Sequence, residues 1–511
     1  MSETAWPAPR SRTSHTPLLF LAAVFFLEVV LFLSGLAMGA EGQDVLVLLL
    51  ALLTILVGAG PILFNMTRPP EKRQILITLL TLVYVIYLVV PVFTQYFLMK
   101  GEYVTGSFSL TRHPPGDVAH AQMVALVGLA MLLLGFYLPF GRLAVSVFPR
   151  PTREWPPHAV LFVALATVGL GWLVYIVGQL GLIPARAGSG AVGTIASGSY
   201  FGVSLLTLAW LRHRRREALL LLAIVIPLSM LFNFFTGSKR LFLTPPFVFA
   251  LAYIVYERRI RMSWVAAAFA TLIVLYPVSE FYRSVIQTDN VRSIGSFVRN
   301  PSRALEALGG FGESVDVGSY VSAGLQATGR RLDALGVLTA IVKDTPERVP
   351  YQGGWTIGYI ALSYVPRIIW PNKPGTTIGE WVSQTYGSPF DLHTDVGPTW
   401  IGELFFNWGY TGVVLGMFVM GLFCRMLQER LFGWHAPIPA LFGAVVVLYA
   451  VSRSVQSGLG GPVNGTVYNL APIPIVHFLV GLFGGFQPTG AGRPRARAAS
   501  DVFHAPTRPA H

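Results

Sequence analysis

The chain has 511 residues, 53% of them hydrophobic and only 12% charged, with a mean hydropathy of +0.59. An ordinary soluble domain is roughly a quarter charged, so this composition excludes a soluble globular protein and fits an all-α polytopic membrane protein. The formal charge of +13 raises nucleic acid as a partner, but the placement of the charge argues against it.

Apolar runs near the length that crosses a ~30 Å hydrocarbon core recur at 17–39, 44–65, 75–98, 121–140, 159–180, 197–211, 218–234, 241–256, 263–279, 398–424, 438–456 and 469–486. They predict about twelve transmembrane helices. The first run follows Arg10 and Arg12, as a secretory signal would. Its apolar stretch exceeds the roughly 7–15 residues of a signal, and Met38-Gly39-Ala40 is a poor cleavage site, so an uncleaved span is expected. With the N-terminus inside, the inward segments collect 21 lysines and arginines, among them the run RHRRR at 212–216, and the short outward loops hold six. That split is the positive-inside pattern. The basicity is therefore topological, and no nucleic-acid partner is expected.

The expected organisation is a cytoplasmic tail at 1–16 and a bundle of about nine helices at 17–279. An outward-facing, partly helical subdomain at 280–397, about three further helices at 398–486 and a disordered basic cytoplasmic tail at 487–511 complete it. The outer block carries ten basic and eleven acidic residues and is not low-complexity. Loops of such length are usually functional or disordered. Within it Leu332, Leu335, Leu338 and Ile341 recur every three residues, which predicts a short helix lying on a membrane or protein surface. The lone cysteine, Cys424, excludes an intrachain disulfide. No CxxC, HExxH or phosphate-loop pattern occurs, so neither a metal nor a cofactor is expected.

Between Tyr364 and Val382 the chain reads YVPRIIWPNKPGTTIGEWV, a rigid, cationic, aromatic segment in an otherwise oily sequence. It is followed by GPTWIGELFFNWGYTGVVLGMFVMG at 397–421, and preceded at 235–243 by FTGSKRLFL. Together these resemble the oligosaccharide repeat-unit polymerases, the Wzy-type O-antigen polymerases. That family shows a Pro-Arg-aromatic-Pro-x-Lys-Pro element, then a Gly-Glu-aromatic-x-Asn-aromatic-Gly run, and a Gly-Ser-Arg turn between two spans. Here a lysine precedes the arginine of the turn, which leaves open which cation acts. The motif match covers roughly 230–425, and the rest of the chain matches only in topology.

The resemblance implies a GT-C-like membrane glycosyltransferase of the bacterial inner membrane, with its active site facing the periplasm. Its partners would be undecaprenyl-diphosphate-linked oligosaccharides, the lipid bilayer and a chain-length regulator protein. The reaction moves a growing glycan from its lipid diphosphate to a sugar hydroxyl on the next lipid-linked unit. A departing diphosphate calls for cations where negative charge accumulates, and the hydroxyl calls for a proton acceptor.

Arg367 and Lys373 flank the proline-braced tryptophan, and either face a diphosphate or anchor to headgroups. Lys239 and Arg240 stand at the outer mouth of two spans, where cations are disfavoured, and snorkelling is the alternative. Arg283 either pairs with Glu280 or faces the diphosphate, and Arg330 and Arg331 either join it or form a solvated edge. For the proton acceptor, Glu403 lies in the apolar start of the tenth span, where an ionisable group is a functional candidate by default; a salt bridge to an arginine is the alternative. His393 and Asp395, with Asp391, lie just before it, and histidine titrates near neutral pH. Asn407, Gly409 and Gly412 suit close packing or a broken helix start rather than chemistry. An O-antigen ligase would share this site chemistry. A transporter or flippase would show internal repeats and mid-membrane charges in both halves, and neither is apparent.

Overall fold

Apolar segments in hydrocarbon must satisfy their backbone polar groups internally, and helices do so without a partner strand. The computed structural model describes residues 40–98, 108–140, 153–179, 198–234, 239–260, 332–362, 378–387, 396–434, 436–470 and 472–484, with a few single positions between them. These residues are helical and contain no strand.

The first group is α1 (Ala40–Met66), α2 (Ile75–Pro91, prolonged by a π turn at Val92–Leu98), α3 (Pro115–Tyr137), α4 (Pro157–Gln179), α5 (Gly198–His213), α6 (Arg216–Phe234) and α7 (Lys239–Glu257). The second is α8 (Ala334–Asp344), α9 (Trp355–Leu362), α10 (Gly379–Tyr386), α11 (Thr399–Leu431), α12 (Ile438–Ser454), α13 (Gly460–Leu470) and α14 (Pro472–Gly484). Among the described residues six stretches are long and apolar enough to cross a membrane: Gly42–Met66, Ile75–Gln95, Pro115–Tyr137, Pro157–Gly178, Arg216–Asn233 and Thr399–Leu431. The expected spans from 44–65 to 241–256, and those at 398–424, 438–456 and 469–486, all fall on helices. The spans expected at 17–39 and 263–279 lie, apart from isolated helical positions, outside the described residues.

Side-chain contacts sort the helix ends into two sets. At one end Asn65 Oδ1 accepts from the Gln74 N–H at 2.9 Å, joining the end of α1 to the start of α2. Gln428 Oε1 accepts from the Leu76 N–H at 2.9 Å, which brings the end of α11 there. Arg73 and Arg258 exchange hydrogen bonds with each other's main chain, adding the end of α7. Buried Glu154 accepts from Arg212 Nη2 at 3.1 Å and from the Ile438 N–H at 2.9 Å, tying the end of α5 to the start of α12. This is the basic end. At the opposite end Lys343 pairs with Asp117 at 3.2 Å, Tyr175 donates to the Phe232 carbonyl, and Trp400 donates to the Ser454 carbonyl. The helices α1 to α7 therefore alternate in direction, as membrane-crossing segments must.

Two expectations change in detail. The helix expected to lie on a surface around 332–342 exists as α8, but Ala334 through Val342 are all buried. It packs among α3, α11 and α2 rather than resting over them, because its charged residues, Lys343 and Asp344, are confined to its last turn and the positions from Ala334 to Val342 are apolar or small. Ahead of the helix that falls on the expected 469–486, a further helix, α13, begins at Gly460. Its glycines let α13 fold back along α12. A Cβ at Gly461 would meet the side chain of Ser454, and one at Gly465 would meet Ala450. Small residues four apart are what close helix packing in a membrane requires.

Candidate functional site

The sequence GELFFNWGYTG opens α11, and the backbone breaks inside it. Trp408 (φ −144°, ψ 15°) and Gly409 (φ 62°, ψ −147°) are not helical. The consequence is larger than a bend. Ile401 and Val413 both lie against Gly128 of α3, although a continuous helix would separate them by about 18 Å. Leu404 likewise sits where side chains at Gly412 and Gly416 would be. Residues 399–407 are thus a short re-entrant helix lying antiparallel to the start of 410–431. The tenth span expected at 398–424 is corrected accordingly. Residues 410–431 alone, about 33 Å at 1.5 Å per residue, match the ~30 Å core.

A helix that ends at Asn407 leaves carbonyls without their usual partners. The Gln352 N–H donates to the Phe406 carbonyl at 2.9 Å, and the Gly353 N–H donates to the Asn407 carbonyl at 3.2 Å. The Asn407 side chain completes the joint. Its Oδ1 accepts from the Gly354 N–H at 2.8 Å, and its Nδ2 donates to Thr356 Oγ1 and to the Glu403 carbonyl, both at 2.8 Å. The loop before α9 is therefore fastened to the hairpin tip. Around that tip Tyr351, Trp355, Trp408 and Tyr410 are exposed, and His120 of α3 stacks on and hydrogen-bonds Tyr410.

Glu403 lies midway along the re-entrant helix and is fully buried, at 0% exposure. Its Oε2 accepts from the Leu459 N–H at 2.6 Å, at the turn from α12 into α13. Its Oε1 has no hydrogen-bond partner of good geometry among the described residues, Thr356 being the polar side chain that faces this carboxyl. Among the described residues no cation pairs with it, so the arginine salt bridge weighed above is not found there. Gly458 beside it has φ +96°, and a Cβ there would approach Oε2 to 2.5 Å. Gly397, just before α11, lies against the Gln456 carbonyl, and Gln456 itself donates to Tyr87 of α2. The starts of α11 and α13 and the end of α12 therefore meet at one buried joint.

Of the remaining predicted residues, Lys239 and Arg240 begin α7, at the end opposite the basic one. Arg367, Lys373, Arg283, Arg330, Arg331, His393 and Asp395 lie outside the described residues, as do Glu280 and Asp391. The segments that carry four of them have described anchors. The stretch with Arg367 and Lys373 joins α9 to α10, and that with His393 and Asp395 joins α10 to α11. The two are cross-linked at their bases, where the Val396 N–H donates to the Gly379 carbonyl at 3.3 Å. Sequence reasoning missed Arg453, a half-buried arginine near the end of α12 that donates to Tyr449 Oη at 2.7 Å. The available signal was its position on the outward side, where positive-inside disfavours it. Missed too was Asp333, which caps α8 by accepting from the Gly336 N–H at 2.7 Å. Burial raises its carboxyl to about 7, against hydrogen bonds from Gly336, Gln95 and Leu110 that favour the ionised form.

Among the described residues no cluster of histidine, cysteine or acidic side chains could hold a metal ion. Residues 116–451 match a family described as a domain of unknown function, DUF8712. No curated protein and no solved structure matches the chain.

Proposed function

The chain belongs to the DUF8712 family, whose description assigns no function, and on the motif resemblance we propose that it is a membrane glycosyltransferase. It polymerises undecaprenyl-diphosphate-linked repeat units into O-antigen or a related surface polysaccharide. In this reading it has about twelve spans in a GT-C-like arrangement within the bacterial inner membrane. The basic end faces the cytoplasm, and the segments between α9 and α11 face the periplasm.

The observation that carries the reading is the joint to which the described anchors of those segments belong. The motif residues Gly402, Glu403, Asn407 and Gly409 build a re-entrant hairpin. The helix that precedes the Arg367 and Lys373 stretch is tied to it through Gly354, and the end of that stretch is joined to the end of the His393 and Asp395 stretch by the Val396 N–H to Gly379 carbonyl bond. A polymerase needs cations and a proton acceptor above one substrate, and these stretches would supply both. Arg367, with Lys373, Lys239, Arg240, Arg283, Arg330 and Arg331 as further cations, would take the charge of the departing lipid diphosphate. The bond from the anomeric carbon to the diphosphate oxygen breaks, and a bond from that carbon to the acceptor hydroxyl oxygen forms. The hydroxyl proton passes to His393 or Asp395.

A transporter or flippase is the alternative that one observation favours. Re-entrant half-helices meeting at a buried carboxyl group are how transporters build substrate sites. An O-antigen ligase would share the chemistry and differ in acceptor.

The test is a gel of surface glycan from a deletion strain carrying an empty vector, the wild-type gene or Arg367→Ala at matched protein level. The polymerase reading expects deletion to leave core bearing a single repeat, and the wild-type gene to restore the ladder. Arg367→Ala should reduce long chains about 100-fold, the scale of one lost transition-state donor. Loss of the single repeat as well would favour ligase or flippase, and an unchanged ladder would reject all three for O-antigen.

A further inference from the structure

We propose that Glu403 is a positioning residue that works by shape and hydrogen bonding, not by charge or proton transfer. It clasps the re-entrant helix of α11 to the turn from α12 into α13, and so fixes the described anchors from which the outer segments leave. Only the activity arm of the test rests on the transferase reading above.

A general base must reach the hydroxyl whose proton it takes. Glu403 has no exposed surface and faces a main-chain N–H on one oxygen, so it touches no substrate. Nor is it a partner for one of the described cations, while an unpaired carboxylate in such surroundings is costly. What the group does have is a fitted contact. Oε2 lies against Leu459 and against Gly458, whose missing side chain leaves room for it. One turn further on, Asn407 holds the Glu403 carbonyl together with Thr356 and Gly354 at the start of α9. Residues 403 and 407 thus fasten the same short helix to α13 on one side and α9 on the other. The Arg367 stretch leaves from α9, and the His393 stretch arrives at Gly397, itself packed on Gln456 of the same turn. A glutamine keeps the acceptor toward Leu459 and the volume of the side chain. Alanine removes both.

The experiment compares Glu403→Gln, Glu403→Ala and Gly458→Ala in two arms: the glycan ladder in the deletion strain, and the melting temperature of the detergent-purified full chain. A clasp predicts that Glu403→Gln melts as wild type does, keeps ladder output within about twofold and leaves its pH profile unmoved. Glu403→Ala should lose about 100-fold, the scale of a misplacement of about 1 Å, and melt lower. Gly458→Ala should do the same from the other side of the contact. Glu403→Gln as inactive as alanine, while melting as wild type, would overturn the proposal and return Glu403 to the chemistry. So would all three variants behaving as wild type. If deleting the gene leaves surface glycan unchanged, the transferase reading fails. The melting arm then decides alone, and glutamine as destabilising as alanine rejects the clasp.

Discussion

Asn407 makes three hydrogen bonds from one amide, two by donation and one by acceptance. Replacing it with leucine keeps the volume and strands the Gly354 N–H, a loss on the order of 1–3 kcal/mol for each buried group left unpaired. Thermal unfolding in detergent should show a clear drop in melting temperature. Gly409 next to it combines φ 62° with ψ −147°, a region open essentially to glycine alone. Asp333 makes the pH-dependent case. Its folded value of about 7 stands above the ordinary 3.8, so the folded state holds the proton more tightly. Its contribution is complete below about pH 4 and is lost as pH rises toward 7. Asparagine also caps helices well and does not titrate. Asp333→Asn should therefore gain melting temperature relative to wild type between pH 5 and pH 8; an unchanged difference would discount the burial of this carboxyl. The sequence made Glu403, Asn407 and Gly409 visible through their motif. It did not reveal what they touch, because Leu459 and Gly354 are more than fifty positions away in opposite directions.

At the level of the helix, the close approach of α3 and α11 is set by glycine. A Cβ at Gly421 would lie 2.1 Å from the Leu132 carbonyl, whereas one at Gly416 would meet the movable side chain of Leu404. A main-chain carbonyl can yield only if the helices separate. Gly421→Ala should therefore destabilise the protein more than Gly416→Ala, and comparing their melting temperatures checks the packing. Most helices were legible as apolar runs. The re-entrant turn was legible only as a break, since hydrophobicity counts are the same whether a segment continues or doubles back. The buried character of α8 was hidden for a related reason. Its period of three fits either a surface helix or one wedged between neighbours, and only the company of α2, α3 and α11 decides.

For the molecule as a whole, the alternation of the helices and the collection of arginine at one end make a single prediction about sidedness. Cys424 is the sole cysteine and is buried, so replacing it with alanine gives a thiol-free background. Cysteines introduced at the exposed positions Arg215 and Glu347 should react with an impermeant maleimide from opposite faces of the membrane. Labelling of both from the same face would break the alternation. Charge distribution foretold this arrangement because insertion is decided by short basic loops close to the spans, which are local in sequence. The joint at the anchors of the outer segments depends on contacts such as Asn407 with Gly354 and Glu403 with Leu459, and composition carries no trace of them.

The length of α12 has a consequence for the surrounding bilayer. Its 17 residues rise about 25 Å, some 5 Å less than the ~30 Å of hydrocarbon around the protein. A short helix facing lipid would be met by local thinning of the bilayer, but α12 is enclosed by other helices along nearly its whole length. The shortfall is met by protein instead: the start of α11 covers the turn after Ser454, where Gly397 lies against the Gln456 carbonyl and Trp400 donates to the Ser454 carbonyl. The bilayer beside the protein therefore keeps its thickness, because the residues that make up the shortfall belong to α11 and not to lipid.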